Sequence, residues 1–112
     1  MLESGIDIFS GENRLNNIPI NYLFDCDDIT SYILPKDIFR INNQAFYSCS
    51  NLKSVDLRGD NSLHSIGRYA FGFCSNLEEI YIPKSLRIVS KNAFAGCAKL
   101  TYAYYEGTKE EY

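Results

Sequence analysis

The apolar residues of this chain fall into columns. Cys26, Cys49, Cys74 and Cys97 follow one another at intervals of 23, 25 and 23 residues. Eight residues before each cysteine stand Ile18, Ile41, Ile66 and Val89, and three before those stand Leu15, Ile38, Leu63 and Leu86. Leu23, Phe46, Phe71 and Phe94 lie three residues before the cysteines, preceded by Tyr22, Ala45, Ala70 and Ala93. After each cysteine the apolar positions continue: Ile29, Leu52, Leu77 and Leu100; then Tyr32, Val55, Ile80 and Ala103; then Leu34, Leu57, Ile82 and Tyr105. The two extra residues of the longer interval fall in Arg58-Gly59-Asp60-Asn61, a turn-rich stretch where insertion is cheap. Self-similarity at a period in this range predicts stacked layers in which like side chains pile up in register.

The segment after each cysteine reads L-x-x-L-x-L, and its last positions alternate as a strand does. Strands are therefore expected over residues 29–34, 52–57, 77–82 and 100–105. The connection back is about 17 residues, long enough for a parallel crossover and too long for a hairpin. The strands are thus expected to form one parallel ladder. On the return path, Ala-Phe-x-x-Cys, entered through Asn42-Asn43 or Lys91-Asn92, predicts a short helix or single helical turn. Pro35 and Pro83 end two of the strands, because proline cannot donate to a ladder. No repeat buries its own apolar edge, so about three or more must stack. The expected organisation is an N-terminal cap or partial strand over 1–14, with Gly5-Ile6-Asp7-Ile8-Phe9 as its strand, then repeats over 15–105 and a C-terminal cap or tail over 106–112.

The units Ile41-Asn42-Asn43-Gln44-Ala45-Phe46-Tyr47-Ser48-Cys49-Ser50-Asn51-Leu52 and Ile66-Gly67-Arg68-Tyr69-Ala70-Phe71-Gly72-Phe73-Cys74-Ser75-Asn76-Leu77 resemble the BspA-like leucine-rich repeats. Tyr105-Glu106-Gly107-Thr108 is similar to the closing motif of such arrays. The resemblance implies a leucine-rich-repeat solenoid of about four repeats of 23–25 residues, with a parallel β-ladder on one face and short helical turns on the return wall. It also implies a role in protein binding and adhesion, with no catalytic residue in the repeat itself; no cofactor is expected.

Composition narrows the chemistry. The chain has 112 residues, 46% apolar and 22% charged, with net charge -3 and a sequence pI near 5.0. That is enough apolar content for one core, and the acidic balance argues against nucleic acid as a partner. No apolar run spans a bilayer, so membrane insertion is not expected. The start, Met1-Leu2-Glu3-Ser4-Gly5, has neither a basic nor an apolar signal region. A cytoplasmic location follows for the sequence as given, and a surface or secreted one for a fragment of a longer protein. The cysteines lack the close pairs of a zinc site. Their column reads as buried thiols filling like apolar groups, with a disulfide between neighbouring layers as the alternative. His64 lies in a column with Asn16, Phe39 and Arg87 and reads as surface rather than base. The acidic pairs Asp27-Asp28, Glu78-Glu79 and Glu110-Glu111 read as solvated surface, because they fall in different layers or on a tail.

The outward strand positions form two rows: Ser31, Ser54, Glu79 and Tyr102, and beside them Ile33, Asp56, Tyr81 and Tyr104. Exposed tyrosine offers wide contact area and a polar tip, which makes these rows the candidate partner-binding face. The expected partner is a protein, and two copies of the chain are also expected to be able to meet through their end layers. The face is only roughly 300–400 Å², against about 800 Å² per partner in a stable interface, so adjoining loops are expected to contribute. An alternative use of the same face is that of a small intracellular inhibitor that blocks an enzyme.

Overall fold

The computed structural model describes residues 16–106. These contain eight short strands: β1 (Asn16–Ile18), β2 (Ser31–Ile33), β3 (Ile38–Ile41), β4 (Ser54–Asp56), β5 (Ser65–Ile66), β6 (Glu79–Ile82), β7 (Ile88–Val89) and β8 (Tyr102–Tyr105). They form two four-stranded parallel sheets, ordered β1-β3-β5-β7 and β2-β4-β6-β8. Each repeat adds one strand to each sheet, so the described residues wind as a solenoid of four turns. The predicted ladder is the second sheet, with strands of three or four residues where six were expected. The first sheet was not anticipated. Its strands lie on the columns of Ile38 and Ile41, whose spacing of three residues does not show the alternation that marks a strand.

The core lies between the two sheets. Ile41, Leu52, Leu57, Leu63, Phe71 and Leu77 are fully enclosed, as are the small Ala45 and Ala70. The phenylalanine column is a ring stack: Phe46 on Phe71 at 5.0 Å between centroids, and Phe71 on Phe94 at 5.3 Å. Register sets how deeply each column is buried. Ile41 and Ile66 are covered on both sides, whereas Val89, in the fourth turn, is 51% exposed.

The expected helical turn on the return wall is not formed, and the described residues contain no helix. Backbone conformation is the cause. In every turn of the solenoid the residues five and one before the cysteine take a left-handed φ: Asn21 and Asp25, Gln44 and Ser48, Tyr69 and Phe73, Asn92 and Gly96. A left-handed residue at every fourth position breaks a right-handed helix before one turn closes. Instead the wall is a chain of tight turns. In the second layer, Ala45, Tyr47 and Cys49 donate backbone N–H bonds to Asn42, Gln44 and Phe46. The intervening Gln44, Phe46 and Ser48 donate to Arg68, Ala70 and Gly72 of the next layer at 2.7–2.9 Å. In this layer the amides of residues 44–49 thus alternate, half closing turns and half joining layers, and each has a partner.

The four cysteines are free thiols, with Cys49 and Cys74 buried and Cys26 and Cys97 partly so. The thiols of Cys49, Cys74 and Cys97 donate to the carbonyls of Leu23, Phe46 and Phe71 in the preceding layer, at 3.0–3.2 Å. Contacts with the thiols of Cys49 and Cys97, together with burial, push the Cys74 thiol well above its ordinary value. Asparagine side chains stitch layers in the same direction: Asn42 to Ile18, Asn51 to Asp27 and Asn76 to Ser50, each amide donating to a carbonyl. Asn42, expected to cap a helix, serves here as such a stitch.

The inserted stretch is a turn as expected. Asn61 donates its N–H to Arg58 at 2.8 Å, and Gly59 and Asn61 both take left-handed φ. The cap strand expected near Ile6 and most of the expected tail lie outside the described residues.

Candidate functional site

Parallel pairing in the second sheet sets the two outward rows in register. Ser31 pairs with Ser54, Ser54 with Glu79 and Glu79 with Tyr102; Ile33 pairs with Asp56, Asp56 with Tyr81 and Tyr81 with Tyr104. All eight residues singled out from the sequence therefore share one surface. Ile33, Tyr102 and Tyr104 are its most open apolar members, at 73%, 57% and 44% exposure. They project outward because their neighbours Tyr32, Val55, Ile80 and Ala103 occupy the alternate positions, which point to the core.

One corner of this face is built tightly. Glu79, Tyr81, Tyr102 and Tyr104 form a square of one carboxylate and three phenol rings across two adjacent strands. Tyr81 stacks on Tyr104 at 4.7 Å with 20° between planes, and Tyr102 lies nearly parallel to Tyr104 at 6.1 Å. Above Tyr81, the Arg58 guanidinium sits 4.6 Å from the ring centroid. Asp56 holds it there through two charge-assisted bonds, Arg58 Nε to Oδ1 at 2.8 Å and a terminal guanidinium nitrogen to Oδ2 at 2.7 Å. Asp56 also accepts the Arg58 backbone N–H at 3.0 Å. Arg58 was not among the residues singled out from the sequence, because the inserted turn that carries it has no counterpart in the other repeats. Beside this corner, Ile33, Asp56, Arg58 and Glu106 line an open cleft of about 500 Å³.

The hydrogen bonds from Arg58 hold the Asp56 carboxyl below the usual carboxylate range, against a smaller opposing effect of burial. A folded-state value below the unfolded one means that the clamp is intact above the unfolded pKa, about 3.9, and is lost as pH falls through the folded value. Acidification from pH 7 to about 5 is therefore expected to leave the Tyr81 ring resonances in place. They are expected to move only below about pH 4, as Arg58 leaves the ring. A midpoint above that, followed by NMR, would contradict the clamp. Burial, followed by the nearby charge of Glu79, raises the Tyr104 phenol.

A second aromatic cluster on the turn wall escaped sequence reasoning. Phe24 stacks on Tyr47 at 5.1 Å, Tyr47 meets Tyr69 and Phe73 edge-on, and Tyr69 lies parallel to Phe73 at 6.5 Å. Phe24 and Phe73 are exposed. Phe24 and Tyr47 share the column two before the cysteine, but that column continues as Gly72 and Ala95, and Tyr69 and Phe73 fall in two others, so a search for repeated residues passes over the cluster. Tyr69 and Phe73 also adopt left-handed backbone, an uncommon conformation for bulky residues. His64 is half-buried rather than open, lying flat on Phe39 at 5.0 Å. Among the described residues no three His, Cys, Asp or Glu side chains gather as metal ligands, and no helix is long and apolar enough to cross a membrane.

The solved leucine-rich repeat protein of T. pallidum superposes with a TM-score of 0.63 at 20% identity, over 79% of this chain and 51% of that one. The chain thus spans about half the length of that protein, and the likeness is one of fold. A leucine-rich cell surface protein from Faecalibacterium prausnitzii A2-165 aligns over 74% of this chain and 34% of its own, at 22% identity and a TM-score of 0.37. No curated protein matches the chain. The family model of the BspA-type leucine-rich repeat region matches residues 4–110 in six copies. With that span, and with four turns whose columns stack in register, the chain belongs to the BspA-type leucine-rich repeat family.

Proposed function

We propose that this protein is a non-catalytic module that holds a protein partner against the outward face of the second sheet and the loops beside it. The observation that carries this reading is the cluster of half-buried Tyr81 with exposed Tyr102 and Tyr104 at one corner of a ladder whose other members, Ile33 apart, are small or polar. Interfaces concentrate their energy in such aromatic anchors, ringed by polar contacts that exclude water. The adjoining cleft at Ile33 and Arg58 widens a surface that is too small by itself. Membership of a repeat family whose members serve as interaction modules agrees with this reading. Adhesion and inhibition of an enzyme are two uses of such a face, distinguished by whether its partner is a surface molecule or an intracellular enzyme.

The test is affinity capture with the immobilised chain beside a Tyr81→Ala plus Tyr104→Ala variant. A partner held by the parent and lost by the variant, with both folded by circular dichroism, supports the face. Equal capture by the two removes it.

A further inference from the structure

We propose that the square of Glu79, Tyr81, Tyr102 and Tyr104 receives an arginine side chain from the partner protein. This deepens the reading of the second sheet as the binding face and rests on it. The molecule already holds one such pair. Arg58 lies over Tyr81 at 4.6 Å, and Asp56 grips the guanidinium from the side. The ladder step that carries Asp56 onto Tyr81 carries Tyr81 onto Tyr104. One step along, the same ingredients recur without a cation from the described residues. Tyr104 and Tyr102 present parallel rings, 44% and 57% exposed, and Glu79 pairs with Tyr102 in the neighbouring strand.

Charge and shape select the occupant. The chain carries a net charge of -3, and the exposed Glu78 and Glu106 adjoin the strands that carry the square, so a cationic partner is attracted from a distance. A guanidinium is flat, stacks on a phenol ring and at the same time bonds a carboxylate with two parallel N–H groups. An ammonium makes a point contact and stays hydrated. The arrangement around Arg58 uses the same two elements, with two bonds to one carboxylate and the guanidinium carbon over a ring. Glu79 and the rings of Tyr102 and Tyr104 supply the same two elements to an incoming arginine.

The experiment is a titration of the full chain with a nine-residue peptide of alternating Arg and Gly, followed by NMR of the tyrosine ring protons. Its lysine counterpart is titrated in parallel. Binding of the arginine peptide is expected to shift the rings of Tyr81, Tyr102 and Tyr104. The lysine peptide is expected to bind roughly three- to tenfold more weakly. Glu79→Gln is expected to weaken the arginine peptide by a similar factor, and Tyr104→Leu to abolish the shifts while leaving the backbone spectrum of the core unchanged. Equal affinity for the two peptides, shifts confined to another surface, or retention of binding in Tyr104→Leu overturns the proposal. If the arginine peptide fails while the double tyrosine variant still loses its captured partner, the binding face stands and the arginine assignment falls. If the variant also retains its partner, both fall.

Discussion

Phe71→Ala is expected to cost about 3–5 kcal/mol, among the largest losses for a single truncation of the described residues. Phe71 has no exposed surface and is stacked on both sides, by Phe46 at 5.0 Å and Phe94 at 5.3 Å, with 3° between planes in each case. Its backbone is engaged as well, donating to Ala93 and accepting from the Cys97 thiol. The wall around the ring therefore has little freedom to collapse into the vacated space, and the cavity contribution is expected to be near its full value. Removing the ring also takes a stacking partner from Phe46 and from Phe94, so the loss spreads over three layers. Native domains are stable by only about 5–15 kcal/mol. At roughly 4–8 °C per kcal/mol, the melting temperature is expected to fall by more than about 12 °C in thermal unfolding followed by circular dichroism. Phe71→Leu, which keeps most of the apolar volume, is expected to lose clearly less. Equal losses for the two would mean that the column is not packed as described.

The second large effect is expected from adding one methyl group. Gly67 sits where the chain enters the turn wall of the third layer, hard against the second. A Cβ there would stand 2.5 Å from Asn43 Oδ1, 2.7 Å from the Asn43 nitrogen and 2.8 Å from the Asn42 carbonyl carbon. Two of these atoms are backbone and cannot swing aside. The Gly67 N–H meanwhile donates to Ile41 at 2.7 Å, and Asn43 Oδ1 accepts the Arg68 N–H at 2.8 Å. Gly67→Ala must therefore push two layers apart and strain both bonds, at about 1–3 kcal/mol. Gly72→Ala provides the contrast. Its nearest neighbours are the side-chain rings of Tyr69 and Tyr47 at 3.0–3.2 Å, with no backbone atom among them. It is expected to cost less than Gly67→Ala in chemical denaturation, with faster amide exchange at Arg68 confined to the Gly67 variant. A smaller loss for Gly67→Ala than for Gly72→Ala would show that the two layers are not in such close contact.

The stacking was legible in the sequence because it depends on columns, and columns survive any detail of backbone shape. The same holds for the two outward rows, since alternation along the second sheet decides which side chains face out. The turn wall was misread for a specific reason. Ala45, Phe46 and Cys49 have the spacing of one helix face, and the asparagines before them look like caps, so the residue pattern fits a helix and a run of turns equally well. What separates the two is the left-handed residue at every fourth position. Gln44, Ser48, Tyr69 and Phe73 do not advertise it. The same columns hold Asn21, Asp25, Asn92 and Gly96 in the outer turns, and those residue types tolerate the conformation. The first sheet stayed hidden because strands of two to four residues are too short to display a period. The Arg58 clamp stayed hidden because it arises from an insertion and crosses from one layer to the next.

The turn wall also has an electrical direction. The carbonyls of Ala93 and Ala95 face back to accept from Phe71 and Phe73. In a planar trans peptide the following N–H points the opposite way, so the N–H groups of Phe94 and Gly96 are aimed out of the fourth turn. Peptide dipoles thus add along the column and leave its outer end positive, as at the N-terminus of a helix. Whatever closes that end must bring oxygen acceptors in matching step. A purely greasy lid over Val89 and Phe94 would strand two amide protons away from water, at about 1–3 kcal/mol apiece.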